Sequence, residues 1–385
     1  MQYRKDKYKN DISLLGFGCM RFPLSNKETE EIILETYNRG VNYFDTAYVY
    51  PNSEQRLGEI LCKNNIRNKV YIATKLPHYL IKDINGLEKM FQEQLKRLQT
   101  DYIDYYLMHM LADIETWERL CNLGIKEWIE NKKKLGQIKQ IGFSYHGNTE
   151  MFCKLIDAYD WDITLVQYNY MDEHSQAGRQ GIEYAYSKNV PVFIMEPLRG
   201  GRLVNNLSKE TLNIFENYKE KFTPAEAAFK WLYSQPEITC VLSGMNSLEM
   251  VLENCTIANS TVVGEMNKHK DFYNSLIASI SAKMKINCTG CGYCLPCPKN
   301  VDIQGIFAAY NRKYTDSKFW GLVSYFICTS LRKNPTSAAN CIGCKKCEKH
   351  CPQNIEISKE IKKIKKEMEG PIYKIGCKFS KLFKF

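Results

Sequence analysis

The sequence is most restrictive in what it lacks. In its 385 residues no apolar run approaches the roughly 20 residues that cross a bilayer, so we predict no transmembrane segment. Residues 1–10 are charged and polar, and they contain no apolar stretch of the kind found in secretion signals. Apart from a net charge of +10, nothing in the composition favours nucleic-acid binding. We therefore expect a cytoplasmic protein that binds no nucleic acid.

Cysteine, in contrast, is abundant and unevenly placed. Eight of the 16 cysteines form two tight runs, Cys288-Cys291-Cys294-Cys297-Pro298 and Cys341-Cys344-Cys347-Cys351-Pro352. The second run has the C-x2-C-x2-C-x3-C-P spacing of bacterial two-cluster ferredoxins, in which the fourth cysteine ligates the other cluster. By that rule, one [4Fe–4S] cluster takes Cys288, Cys291, Cys294 and Cys351, and the other takes Cys341, Cys344, Cys347 and Cys297.

The first run departs from this spacing, because two residues separate Cys294 from Cys297 where three are usual. Two other interpretations compete with iron–sulfur clusters. Structural zinc is held by paired C-x2-C units, but four ligands complete a zinc site and leave the proline-terminated pattern unexplained. Disulfides need an oxidising compartment, which a chain without a secretion signal is not expected to enter. The pattern therefore favours two [4Fe–4S] clusters.

The segment between the two cysteine runs is long and helical in pattern. Within the 43 residues from 298 to 340, residues 303–310 and 319–331 have helical length and apolar spacing. This region is therefore similar to the all-helical ferredoxin domains of multi-domain oxidoreductases. Residues 359–385 contain nine lysines and three glutamates, with Ile361, Ile364 and Met368 at helical spacing. This basic tail either packs on the cluster region or contacts an anionic membrane or an acidic electron carrier.

The first 280 residues alternate short apolar strands with amphipathic helices, which indicates a parallel sheet. We predict strands at residues 14–18, 41–44, 70–74, 103–108, 140–143, 163–167, 190–195 and 239–242. Polar residues follow the second to seventh strands, as at the catalytic end of a barrel: Asp45, Lys75, His109, Ser144, Gln167 and Glu196. A doubly wound sheet would need a glycine-rich loop after its first strand, and residues 16–21 lack the third glycine. We predict a (β/α)8 TIM barrel followed by a smaller all-helical ferredoxin-like domain.

Several segments of the predicted barrel resemble the aldo-keto reductases, in the order and register of that family. They are Asn42-Tyr43-Phe44-Asp45-Thr46-Ala47-Tyr48-Val49-Tyr50, Asn52-Ser53-Glu54, Ile72-Ala73-Thr74-Lys75, Asp101-Tyr102-Ile103-Asp104-Tyr105-Tyr106-Leu107-Met108-His109, Ile141-Gly142-Phe143-Ser144 and Gln167-Tyr168-Asn169-Tyr170. The resemblance covers roughly residues 10–258, and the cysteine runs are similar to a branch of the family with a C-terminal two-cluster domain. It implies an oxidoreductase that reduces a small carbonyl compound by hydride from NAD(P)H.

The resemblance also implies a catalytic tetrad. Tyr50 would be the general acid, Lys75 the cation beside it, Asp45 the partner that keeps Lys75 charged, and His109 the group that orients the carbonyl. Hydride addition leaves an alkoxide that must be protonated, so the chemistry requires an acid. A tyrosine, with an ordinary pKa of about 10, serves only when neighbouring charges tune it. Tyr48 is a rival acid in the same loop, and the five-residue separation from Asp45 favours Tyr50.

For the cofactor, the resemblance implies nicotinamide contacts from Ser144, Gln167, Asn169, Met195, Glu253 and Asn254. The first three would meet the carboxamide and the last two the adenine end, while Met195 stands where relatives usually have a stacking aromatic. Residues 243–247 have no base for a 2′-phosphate, although Arg199 and Arg202 lie in a nearby loop, so NADH and NADPH both stay open. A flavin is a further alternative, because a nicotinamide moves two electrons and each cluster moves one.

These observations divide the chain into three segments. We expect an aldo-keto-reductase-like barrel at 1–280, a helical two-cluster domain at 281–358 and a basic tail at 359–385. The leading hypothesis is an NAD(P)-dependent carbonyl reductase with structural or redox-active clusters. The alternative is an electron-transfer protein, in which the clusters serve a flavin, a ferredoxin or a flavoprotein partner and the barrel is a docking scaffold.

Overall fold

The computed structural model describes residues 1–205, 207–288, 290, 294–351 and 353–382. Its larger part is a closed barrel of eight parallel strands, preceded by an antiparallel pair, β1 (Tyr3–Lys5) and β2 (Asp11–Ser13). The barrel strands are β3 (Leu15–Gly18), β4 (Tyr43–Asp45), β5 (Tyr71–Leu76), β6 (Ile103–Met108), β7 (Ile138–Tyr145), β8 (Ile163–Gln167), β9 (Val192–Met195) and β10 (Ile238–Ser243). The predicted (β/α)8 fold is confirmed.

Amphipathic helices surround the barrel and continue into the C-terminal region. The barrel helices are α1 (Asn26–Asn38), α2 (Ser53–Lys63), α3 (Ile84–Leu98), α4 (Ile114–Asn122), α5 (Ile125–Lys134), α6 (Thr149–Ala158), α7 (Gly178–Ser187), α8 (Lys209–Asn217), α9 (Pro224–Tyr233), α10 (Leu248–Ser260) and α11 (Lys270–Ser281). The C-terminal helices are α12 (Ile303–Thr315), α13 (Lys318–Ser330), α14 (Ile357–Met368) and α15 (Pro371–Leu382). Among the described residues, none of these helices has both the length and the apolar character needed to cross a membrane.

The barrel interior is filled by side chains, so it is a packed core and leaves chemistry to the strand ends. Tyr43 packs on Tyr105 and Phe193 with ring centroids 5.2 and 4.7 Å apart. The β1–β2 pair, which the sequence did not predict, covers the amino-terminal end of the barrel. Its turn brings Asp6 beneath the interior, where Tyr105 and Gln140 donate hydrogen bonds to the carboxylate. The opposite, carboxyl-terminal end is where the polar strand-end residues gather.

The C-terminal region is a separate helical core, which we call the module (residues 282–382). The helices α12, α13 and α14 surround a cluster of buried residues, among them Ile303, Ile306 and Phe307. The helix α14 crosses the predicted border between cluster domain and tail, and it buries Ile361 and Ile364 in this core. The tail helix therefore packs on the module, which is one of the two arrangements that the sequence left open.

Candidate active site

An ion pair lies at the carboxyl-terminal end of two neighbouring barrel strands. Asp45 closes β4, and Lys75 lies near the end of β5, which pairs with β4 in parallel register. The Nζ atom of Lys75 lies 2.5 Å from Oδ1 of Asp45 and donates a second hydrogen bond, of 2.7 Å, to the carbonyl of Thr46. The side chains are 2% and 6% exposed, so water screens the pair very little. The sequence placed these two residues at strand ends, and the parallel pairing of β4 with β5 brings them into contact.

Tyr50 stands beside this pair in the turn between β4 and α2. Its backbone N–H donates to Ala47, and its carbonyl accepts from Ser53, which holds the turn. The Nζ atom of Lys75 lies 5.2 Å from the centroid of the half-buried Tyr50 ring. Tyr48, the rival acid, is engaged elsewhere: its hydroxyl donates to Glu93 at 2.9 Å. Of the two tyrosines, therefore, Tyr50 is the one adjacent to Lys75.

His109 faces Tyr50 from the end of β6. The two ring centroids lie 6.2 Å apart, with the planes nearly perpendicular at 88°. The backbone N–H of His109 donates to Leu76, and that of Met110 donates to the hydroxyl of Ser144 at 2.9 Å. Ser144 thus fixes the strand end that carries His109. In the described part of the chain, Nδ1 of His109 is buried without a hydrogen-bond partner.

Burial dominates the electrostatics of this cluster. It raises the pKa of Tyr50 above its ordinary value, while the Lys75 ammonium acts to lower it. Burial alone would lower the pKa of Lys75, but Asp45 and Tyr50 outweigh it, so the pKa of Lys75 is raised and the lysine stays charged. Burial and Lys75 hold the pKa of His109 well below its usual range. The site therefore presents a protonated phenol, a cation and a neutral imidazole at neutral pH.

The amides predicted to bind a nicotinamide form one hydrogen-bonded group. Gln167 and Asn169 each donate to Oδ2 of Asp172 at 3.0 Å. Gln176 donates to the side-chain oxygen of Gln167 at 2.5 Å. Burial would raise the pKa of Asp172, but Arg199 and the other donors lower it overall, so the acceptor is ionised. The sequence did not predict Asp172 or Gln176, which lie in the loop after β8. The available signal was the position of Asp172, a polar residue three positions after Asn169.

The remaining cofactor candidates lie on other parts of the rim. Met195 ends β9 and is half-buried. The amide of Asn254 donates to the hydroxyl of Ser243 at 3.1 Å, which ties α10 to the end of β10. Glu253, the neighbour of Asn254 on α10, accepts a hydrogen bond from the hydroxyl of Thr223. The structure thus joins Gln167 and Asn169 through Asp172 and places Ser144 beside the strand end that carries His109, while Glu253 and Asn254 lie on α10.

Arg199, considered from sequence for a cofactor phosphate, is already paired. Its guanidinium is 3% exposed and lies 3.1 Å from Asp172 and 3.5 Å from Asp316, a residue of the module. The pairing with Asp316 has no counterpart in the sequence pattern, because it depends on how the module docks. Of the two arginines in this loop, Arg202 is the one that stays partly exposed.

One cysteine quartet lines a common pocket in the module. It comprises Cys297, Cys341, Cys344 and Cys347, the set that the ferredoxin crossing rule predicts for one cluster. Branched apolar side chains complete the pocket together with Lys299, Lys345 and Ser358, and it measures about 330 Å³ to its open edge. Among the described residues, no group of three or more His, Cys, Asp or Glu side chains is positioned around a single metal ion. A [4Fe–4S] cluster, which binds one thiolate on each iron, would take four cysteines of this kind.

The second predicted quartet is only partly described. Cys288, Cys294 and Cys351 pack against the module core, and Cys291 lies outside the described residues. Cys297 and all four cysteines of the second run are thiols that form no disulfide.

Comparison with known proteins agrees with both parts of the chain. The aldo/keto reductase family matches residues 14–271, and a 4Fe-4S dicluster domain matches residues 287–356. An uncharacterized oxidoreductase of Bacillus subtilis is 23% identical over 290 residues, which cover 65% of this chain and 88% of that protein. An aldo-keto reductase of Mycobacterium avium is 26% identical, over 66% of this chain and 83% of its own length.

Solved structures share the barrel. The holo form of an aldo-keto reductase from Bacillus halodurans superposes with a TM-score of 0.61 at 22% identity, and covers 72% of this chain and 96% of that one. An aldo-keto reductase of Klebsiella pneumoniae in complex with NADPH gives 0.59 at 20% identity, over 72% and 95% of the two chains. Since the family match spans well over half of the residues, this chain is a member of the aldo/keto reductase family with a C-terminal 4Fe-4S dicluster domain.

Proposed function

We propose that the protein reduces a small carbonyl compound by hydride from NAD(P)H, with Tyr50 as the general acid. The observation that carries this proposal is the buried Lys75–Asp45 pair, 2.5 Å apart, beside a tyrosine that faces His109. Stability alone does not explain this ion pair, because apolar residues of similar volume often stabilise a folded protein as much as a buried ion pair does. Its placement at the strand ends of a barrel favours a catalytic role.

Each residue of the tetrad has a defined task in this mechanism. A bound nicotinamide would supply the hydride that reaches the carbonyl carbon. Tyr50 holds its proton because burial raises its pKa, and it donates that proton to the carbonyl oxygen as the alkoxide forms. Lys75 stabilises the resulting phenolate, and Asp45 keeps Lys75 charged. His109, which is neutral, orients the carbonyl oxygen by a hydrogen bond.

The cofactor would lie across the strand ends from β7 to β10. We assign the carboxamide to Ser144, Gln167 and Asn169 and the adenine end to Glu253 and Asn254, with Met195 below the ring. The amides are held by Asp172, so their donors and acceptors are fixed before binding. The choice between NADH and NADPH rests on the one arginine of the loop that stays partly exposed, Arg202.

The test is Tyr50→Phe, with Tyr48→Phe as the matched control. Removal of the acid should lower kcat by about 10²–10⁴-fold, while clusters and cofactor binding are retained. In the wild type the hydroxyl of Tyr48 donates to Glu93, away from the site. Its removal in Tyr48→Phe should therefore keep kcat within about threefold of the wild type. Equal turnover in both variants would remove Tyr50 from the mechanism.

A second candidate function is electron transfer through the clusters. It is favoured by one contact: the loop of the first cysteine run approaches the barrel mouth, where Gly290 lies so close to His174 that an added Cβ would be 2.4 Å from its carbonyl. Gln304 of α12 donates to the carbonyl of the same glycine. Anaerobic titration with NADH and NADPH, followed by cluster absorption and EPR, separates the two functions. Bleaching of the clusters supports electron transfer; binding without bleaching supports a hydride enzyme with structural clusters.

A further inference from the structure

Buried ion pairs hold the module on the catalytic end of the barrel. Asp316, between α12 and α13, lies 3.5 Å from Arg199 of the barrel and accepts a hydrogen bond of 3.0 Å from Arg312. Arg312 in turn lies 3.7 Å from Glu196, which follows β9. The side chains of Arg199, Asp316 and Arg312 are all less than 10% exposed, so these charges are buried together between barrel and module. Moving the module away would leave these buried charges without their partners, which costs free energy. The ion pairs therefore hold the module in place.

This docking encloses a pocket of about 580 Å³, measured to its open mouth. One wall belongs to the barrel and includes His146, Gln167 and Glu196. Gln167, one of the proposed nicotinamide contacts, belongs to this wall, and His146 follows two residues after Ser144. The pocket therefore adjoins the proposed cofactor site.

The opposite wall is one face of α13. Trp320, Val323, Ser324 and Ile327 all line the pocket, and their spacing of three, four and seven residues places them on a single side of the helix. The ring of Trp320 also lies 5.8 Å from the guanidinium of Arg21, in the loop after β3. Since β3 lies opposite β7 in the closed barrel and His146 of the pocket directly follows β7, α13 spans the mouth, and we call this part of the helix the roof.

The charged side chains that line the described part of the pocket are Glu196, Asp302 and Arg312, and Arg312 is already paired with Asp316 and Glu196. Asp302 accepts a hydrogen bond from the backbone N–H of Gly305 at the start of α12. An anionic substrate would therefore gain no unpaired cation there, and it would lie near the Glu196 carboxylate. The tryptophan and the branched side chains of the roof favour an apolar or aromatic group instead.

We propose that the module is part of the substrate site: the α13 face of Trp320, Val323, Ser324 and Ile327 binds the non-reacting part of an uncharged carbonyl compound that carries an aromatic or branched apolar group. The proposal rests on the proposed carbonyl reduction by Tyr50. It gives the module a role in substrate selection that is independent of whether its clusters carry electrons.

The experiment compares Trp320→Ala with Phe319→Ala, its neighbour on α13, which is 65% exposed. Benzaldehyde, propanal and 4-carboxybenzaldehyde are assayed with the anaerobic, cluster-loaded protein. The wild type should prefer benzaldehyde. The ratio of kcat/KM for benzaldehyde to kcat/KM for propanal should fall by about tenfold or more in Trp320→Ala. Phe319→Ala should leave this ratio within about twofold. If Trp320→Ala does not fold, Ser324→Phe replaces it as the test variant. Its added ring fills the pocket and should reduce the same ratio.

A binding measurement separates this inference from the catalytic proposal. Benzyl alcohol should quench the tryptophan fluorescence of the wild type, and most of that quenching should be absent in Trp320→Phe. If Tyr50→Phe keeps full turnover but the quenching is lost in Trp320→Phe, the acid assignment is wrong and the roof is right. If the ratios of Trp320→Ala and Phe319→Ala are equal, or 4-carboxybenzaldehyde is the preferred substrate, the roof is not part of the substrate site.

Discussion

Replacing Asp45 by asparagine tests the physical basis of the proposed tetrad. The change keeps the shape of the side chain and removes the negative charge 2.5 Å from the Lys75 ammonium. Lys75 retains its hydrogen bond to the carbonyl of Thr46 but has no charged partner in a site where it is 2% exposed. Breaking a buried pair in this way should cost about 3–5 kcal/mol of folding free energy.

The pH dependence of that loss follows from the lysine. In the wild type the pKa of Lys75 is raised, so its contribution is fully present below pH 10 and is lost only at higher pH. In Asp45→Asn, burial without a partner should bring the pKa of Lys75 below its ordinary value, so the folded state binds fewer protons than the unfolded state. The free energy of unfolding should then rise with pH by up to about 1.4 kcal/mol per unit. The deficit relative to wild type should therefore shrink between pH 7 and pH 9.5.

Urea unfolding of the anaerobic protein at these two pH values measures the deficit. Glu150→Gln is the control, because Glu150 forms an exposed ion pair with Lys154 whose loss should change stability by less than about 1 kcal/mol. The same Asp45→Asn protein should also reduce carbonyls at least about 10²-fold more slowly, since Lys75 no longer stabilises the phenolate. A deficit as small as that of Glu150→Gln, or one that is equal at both pH values, would refute the argument from burial.

Two further predictions concern the module. Cys347→Ser should remove about half of the iron and sulfide from anaerobically purified protein, because one thiolate quartet is broken, whereas Cys153→Ser on α6 should leave the iron content unchanged. Unchanged iron in Cys347→Ser would contradict the ligand set. Ile364→Ala should destabilise the module by about 2–5 kcal/mol, because Ile364 is fully buried, while the exposed Lys365→Ala should stay within about 0.5 kcal/mol in the same thermal melt. Similar melting of both would mean that α14 is not part of the core.

The sequence by itself determined the secondary structure of the barrel and the spacing of the cysteines. Short apolar strands alternate with amphipathic helices, and a polar residue such as Asp45 or His109 stands at the end of most strands. These signals are local, because strand and helix periodicity and C-x2-C spacing are set by neighbours in the chain. For the same reason the β1–β2 pair was missed: its strands are only three residues each and carry little pattern.

Tertiary structure decided which of these residues meet. Parallel pairing of β4 with β5 brings Lys75 to Asp45, and the turn after β4 sends Tyr48 toward Glu93 while Tyr50 stays at the site. No local rule predicts the pairing of Arg199 with Asp316, or the position of Trp320 above the barrel mouth, because both depend on the docking of two hydrophobic cores. Docking is set by the complementarity of whole surfaces and by the desolvation of their charges, neither of which a residue pattern encodes.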